Sequence, residues 1–66
     1  MDYYIRFLKS TFGNVQGDIV QLDTVDGQDN VYYYDSFDRY CYLTPEEEGT
    51  VWEWATEEDY RAQEEE

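Results

Sequence analysis

The sequence predicts an α+β fold for this 66-residue chain: a small twisted antiparallel β-sheet of four to five strands with a short acidic C-terminal helix. Three observations carry that prediction. Short segments in which apolar and polar residues alternate are separated by Gly, Asn and Asp, the pattern of half-buried strands and their turns. Asp26-Gly27 lies between two such segments, and a tight hairpin turn needs the positive φ that glycine adopts without steric cost. Thr56-Glu57-Glu58-Asp59 places a cap residue and three acids at a helix start, where the helix dipole favours negative charge.

In chain order, Asp2 to Phe12 (DYYIRFLKSTF) has the β-branched and aromatic composition of a strand with one wet face. Its Arg6 and Lys9 are suited to pairing with an acidic neighbour. Gly13-Asn14 and Gly17-Asp18 mark turns. Ile19 to Val25 follows as a second strand, with Val20, Leu22 and Val25 facing inward. Asn30 to Tyr34 is the third, across the Asp26-Gly27 turn, with Gln28 and Asp29 available to widen the loop. Asp35 to Asp38 interrupts, and Phe37 is expected to plug the core from that loop. Arg39 to Leu43 is a short strand.

Thr44-Pro45-Glu46-Glu47 reads as a helix start with a capping box, cut short by Gly49. In Thr50 to Ala55 both tryptophans, Trp52 and Trp54, fall on one side of an alternating strand. A helix from Glu57 to about Gln63, anchored by Tyr60, is expected next, and Glu64 to Glu66 reads as a solvated end. The expected core is Ile5, Phe7, Val20, Leu22, Val31, Tyr33, Phe37, Leu43 and one of the two tryptophans. No internal repeat is apparent, and residues 1–66 read as one acidic domain.

Composition narrows the function. Seventeen acids against four bases give a formal net charge of −13, which opposes compaction and attracts basic partners. Residues 1–43 carry −4 and residues 44–66 carry −9. Hydrophobic residues at 41%, with aromatics at 20%, are too many for a disordered acidic tail. Cys41 is the only cysteine, so no intramolecular disulfide forms and a reducing cytoplasm is the expected location. No apolar run is long enough for a signal peptide or membrane span, and direct binding to membrane or nucleic acid is not expected.

Catalysis is not expected either. The chain has no histidine, so Cys41 has no imidazole to activate it, and so small a chain leaves little room to wall off a carboxylate pair. Setting Gly27 at the sixth position of an EF-hand loop leaves Asp26 as the one suitable side-chain ligand. No metal or cofactor is expected. Tyr32, Tyr33, Tyr34, Tyr40, Tyr42, Trp52 and Trp54 would make a stacking platform for bases, but single-strand binders combine such platforms with basic grooves, and this charge has the opposite sign. About half the rings are expected in the core.

The acids remain. Between Asp18 and Asp38 no Lys or Arg interrupts the aspartates. Carboxylates two apart on a strand face lie roughly 6.6 Å apart, against a phosphate every ~3.4 Å along each strand of B-DNA, so an acidic sheet imitates the sign and rough density of a phosphate track. In size and composition the chain resembles, as a class, the small acidic DNA-mimic proteins that bacteriophages use against host enzymes, including anti-CRISPR, anti-restriction and uracil-DNA glycosylase inhibitor proteins. That class shares no common motif, so it supplies no site residues.

The functional expectation is an inhibitor that occupies the nucleic-acid groove of a basic host protein, in the cytoplasm of an infected bacterium if it derives from a phage. Asp23, Asp26, Asp29, Asp35 and Asp38 would present charge from the hairpin side, and Glu46, Glu47, Glu48, Glu53, Glu57, Glu58 and Asp59 from the C-terminal side. Exposed Tyr32, Tyr34 or Trp52 would add anchors. The alternatives are an adaptor that uses an aromatic patch or sheet edge, its acids serving solubility, and a homodimer formed through a strand edge.

Overall fold

The computed structural model describes residues 2–64. Six strands run β1 (Tyr4–Phe7), β2 (Ile19–Gln21), β3 (Thr24–Val25), β4 (Val31–Tyr34), β5 (Tyr40–Leu43) and β6 (Trp52–Ala55), followed by α1 (Glu57–Glu64). All pair antiparallel, in two three-stranded sheets ordered β2-β1-β6 (sheet I) and β3-β4-β5 (sheet II). The α+β class stands; the single sheet of four to five strands does not. The expected strand from Ile19 to Val25 turns a corner: the Leu22 N–H donates to Tyr3 O at 2.8 Å in sheet I, and the next N–H, of Asp23, donates to Tyr32 O at 2.7 Å in sheet II. Leu22 and Val25 are three residues apart, and a flat strand cannot put both on one face. The corner lets both pack on the core.

The inner faces of the two sheets enclose Ile5, Phe7, Leu22, Val31, Tyr33, Leu43 and Trp52, with Val20 and Val25 partly buried against them. Burying a large apolar side chain of this kind contributes about 1.5–3 kcal/mol. Trp52 is 1% exposed, and its indole Nε1–H donates to Thr44 O at 3.0 Å. Trp54 shares its face of β6 but lies at the rim, half exposed. The other face of sheet I carries Tyr4 and Ile19, buried beneath α1: the Tyr60 ring packs on that of Tyr4, tilted by 32° with centroids 4.9 Å apart, and the Gln63 side chain exchanges hydrogen bonds with the Ile19 backbone. Arg6 reaches Glu53 on β6 at 2.6 Å and Asp59 of α1 at 3.5 Å.

Phe37 is a second correction, being 62% exposed. It occupies the tip of the β4–β5 turn, where a side chain points away from the sheets, and packs on exposed Phe12 at 5.9 Å. Thr44 to Glu47 forms one 3-10 turn, Pro45–Glu47, in which the Glu47 carboxylate accepts the Thr44 N–H at 3.2 Å. Gly49 follows at φ 88°, a conformation that ends the turn and favours glycine.

The two hairpin turns of sheet II are copies of one design. In Asp26-Gly27-Gln28-Asp29-Asn30 and in Asp35-Ser36-Phe37-Asp38-Arg39, the first residue accepts the N–H of the fourth through its carbonyl and donates its own N–H to the fifth. The fourth residue is left-handed, Asp29 at φ 65° and Asp38 at φ 64°. This is a three-residue loop with a bulge. The expected positive φ at Gly27 falls on Asp29 instead. Of the expected solvated end from Glu64 to Glu66, Glu64 closes α1, and Glu65 and Glu66 lie outside the described residues.

Candidate functional site

Alternation along β4 and β5 sends Val31, Tyr33 and Leu43 into the core and Tyr32, Tyr34, Tyr40 and Tyr42 to the opposite face. Register then sets them side by side, Tyr32 opposite Tyr42 and Tyr34 opposite Tyr40. The rings form a ladder, with centroids 5.0 Å apart for Tyr34–Tyr40 and 5.8 Å for Tyr32–Tyr40 and Tyr32–Tyr42. Tyr34, Tyr40 and Tyr42 are 54%, 51% and 61% exposed. Sheet I has α1 over its outer face, whereas nothing among the described residues covers this face of sheet II.

Two hairpin carboxylates border the ladder and hold its hydroxyls. Tyr40 donates to Asp23 Oδ2 at 3.0 Å, and Tyr32 donates to Asp26 Oδ2 at 2.9 Å. The Asp26 bond, followed by burial, raises the Tyr32 pKa above its ordinary value. Burial first, then the Asp23 bond, raises that of Tyr40. Both hydroxyls therefore stay protonated near neutrality, and the face presents ring surfaces edged by negative charge.

The other expected acids are spread over several settings. Asp26 is held below its usual pKa chiefly by the Asn30 side chain, and four donors from Gln28, Asn30 and Tyr32 use its two oxygens. Asp35 is 7% exposed. It accepts the N–H groups of Phe37 and Arg39 and two guanidinium contacts from Arg39. The Arg39 backbone bond is the largest cause holding its pKa at about 2, ahead of the Arg39 side chain. A buried, fully engaged carboxylate presents no charge to a partner, and Asp35 leaves the candidate set. Asp23, Asp29 and Asp38 are exposed.

On the C-terminal side, Glu46 and Glu48 are exposed on the 3-10 turn and its exit, while Glu47 folds back on Thr44. Glu53 is taken by Arg6, and Glu57 pairs with Arg61 at 2.9 Å. Asp59 accepts the Thr56 N–H at 3.1 Å, the main cause of its lowered pKa. Glu58 is exposed. The acids of α1 lie on the far side of sheet I. The helix meets the ladder's side of the molecule through Tyr60 and Gln63, which share an open groove of about 570 Å³ with Asp2, Asp23 and Tyr34.

The structure thus gathers Asp23, Asp26, Tyr32 and Tyr34, and it removes Trp52, an expected anchor, to the core. Tyr40 and Tyr42 were missing from the expected anchors. The signal for them was present as Tyr-x-Tyr in two successive strands, which a hairpin register brings face to face. No protein-family model, curated protein or solved structure matches the chain.

Proposed function

We propose that this chain is a non-catalytic binding protein whose sheet II face docks on a basic, nucleic-acid-binding surface of a host protein and blocks it stoichiometrically. The observation that carries this reading is the uncovered ladder of Tyr32, Tyr34, Tyr40 and Tyr42 with Asp23 and Asp26 on its hydroxyls. Tyrosine buries large area at low entropic cost and keeps a polar tip, so it anchors protein interfaces. Arg and Lys side chains are attracted to ring faces and to bordering carboxylates. A second copy of this chain is a poor occupant, because each copy brings a charge of −13 and the two repel.

The acids that imitate phosphate in this reading are the exposed ones, Asp23, Asp29 and Asp38 on the hairpins and Glu46, Glu48 and Glu58 beyond them. They raise the association rate and make binding salt-sensitive, while the tyrosines, once desolvated, lengthen the residence time. The phage anti-defence role belongs to this proposal. Among the described residues no helix is long and apolar enough to cross a membrane, and a cytoplasmic setting is part of the same proposal.

The test is competition. The immobilised chain should retain a nucleic-acid-binding protein from a nuclease-treated bacterial lysate at low salt, and duplex DNA or raised salt should release it. A partner that ignores both supports the adaptor reading instead, in which the same exposed rings bind an apolar surface and the acids serve solubility.

A further inference from the structure

A second concave site lies between the β3–β4 hairpin and the rim of sheet I, and it shares Asp23 with the ladder. Here a cleft of about 460 Å³ is walled by Tyr3 and Trp54 and edged by Asp23 and Asp29. A smaller pocket of about 260 Å³, edged by Glu48, adjoins it and shares Asp29 and Trp54 with it. Tyr3 and Trp54 meet edge to face at 6.1 Å and are each 45% exposed. No Lys or Arg lines either part. The carboxylates of Asp29 and Glu48 make no hydrogen bond or ion pair among the described residues.

We infer that this cleft is a receptor for one arginine side chain of the partner, its guanidinium lying on the Trp54 ring and its charge met by Asp29, Glu48 and Asp23. Charge complementarity selects a cation, since two adjoining concavities that share Asp29 and Trp54 are each lined by two carboxylates and aromatic rings, with no base in either. Geometry selects arginine. A planar guanidinium stacks on an indole and offers a fork of donors to carboxylates, whereas an ammonium is a compact, strongly hydrated point charge.

The chain holds one of its own guanidinium groups in this manner. Arg39 lies 4.5 Å from the Phe12 ring centroid and 5.2 Å from that of Phe37, and it bonds the Asp35 carboxylate through Nε and Nη2 at 3.0 and 2.8 Å. The cleft repeats those parts, aromatic walls with carboxylates beside them, without the cation. This inference deepens the reading of a basic partner by naming the side chain it inserts.

The experiment is an NMR titration of the isotope-labelled chain with acetyl-Gly-Gly-Arg-Gly-Gly-amide and its lysine, citrulline and leucine counterparts, following the Trp54 indole N–H. The arginine peptide should shift that resonance saturably, with the lysine peptide about threefold or more weaker and the neutral peptides silent. Asp29→Asn with Glu48→Gln should weaken the arginine peptide about tenfold through lost charge pairing. Asn adopts left-handed backbone as readily as Asp, so the hairpin persists in that variant. Equal shifts from citrulline and arginine, or shifts confined to Tyr34, Tyr40 and Tyr42, overturn the inference. The Trp54 indole resonance reads the cleft, so failure there is distinct from failure of the sheet II face, which protein capture reads.

Discussion

Asp26 and Asp35 hold equivalent places in two copies of one turn, nine residues apart in the chain. Each carboxylate accepts the backbone N–H two and four residues on through Oδ1. Through Oδ2, each accepts the side chain four residues on, Asn30 or Arg39. Each also meets the side chain six residues on, the Tyr32 hydroxyl in one and the Cys41 thiol in the other. Much of the aspartate run is thus turn chemistry. It builds the frame that displays the tyrosines, and fewer of its charges are available to a partner than their number suggests.

The two copies differ in burial, so their removal should differ in cost. Asp35→Ala strands the two backbone N–H groups that its buried carboxylate satisfies and removes the partner of the half-exposed Arg39 guanidinium, and should cost about 3 kcal/mol, whereas Asp26→Ala, at a less buried carboxylate, should cost about 1–2 kcal/mol. Denaturant midpoints of the two variants check this, and equal losses would contradict the difference in burial.

A glycine at the left-handed position relieves strain. Asp38→Gly should be neutral or stabilising by up to about 1 kcal/mol, and Asp38→Val destabilising by at least that much, because φ 64° is hard for a β-branched residue. The opposite change applies at Gly13, where a methyl would lie 2.7 Å from Asp35 Cβ. Gly13→Ala should therefore lower the melting temperature and separate the β1–β2 loop from the β4–β5 turn, a contact otherwise made by the Ser36 hydroxyl and N–H on Gly13 O.

Acid and alkali should act through different residues. The folded pKa of Asp35, about 2, lies below the ~3.9 of an unfolded aspartate. Its stabilisation is therefore full above about pH 4 and is lost as pH falls toward the folded value. The stability difference between wild type and Asp35→Asn should shrink over that window, while protonation of the other acids cancels in the comparison. Burial raises Tyr33 to about 12, so stability should fall as pH rises from about 10 toward that value, and Tyr33→Phe should flatten the alkaline limb.

Legibility in the sequence followed the range of the interaction. The Thr44-Pro45-Glu47 turn, the Glu57 helix start and the antiparallel pairing across Asp26 are set by residues a few positions apart, and all were readable. The corner at Leu22-Asp23 was not, because which N–H reaches Tyr3 and which reaches Tyr32 depends on how distant strands pack. Trp52 and Trp54 show the same limit at the site. Alternation put both on one face of β6, but only the meeting of the two sheets makes Trp52 core and leaves Trp54 at the cleft. The tyrosine face needed the β4–β5 register, which no single strand contains.

Those two tryptophans should separate stability from binding. Trp52→Phe removes buried volume and leaves Thr44 O without its indole donor, at a cost of about 2–3 kcal/mol. Trp54→Phe at the rim should stay within about 0.5 kcal/mol of wild type. Thermal melts of both variants decide it, and a larger loss for Trp54→Phe would contradict the assigned core.

The central claim is that the sheet II face is the interface, and paired capture tests it most directly. Wild type and a Tyr34→Ala, Tyr40→Ala, Tyr42→Ala variant, both shown to be folded, are immobilised and exposed to the same nuclease-treated bacterial lysate at low salt, then eluted with duplex DNA. The account predicts a basic nucleic-acid-binding protein in the wild-type DNA eluate and its loss, by at least tenfold, from that of the variant. Equal recovery of that protein on both would contradict it, since charge alone would then carry the binding and the tyrosine ladder would have no part in it.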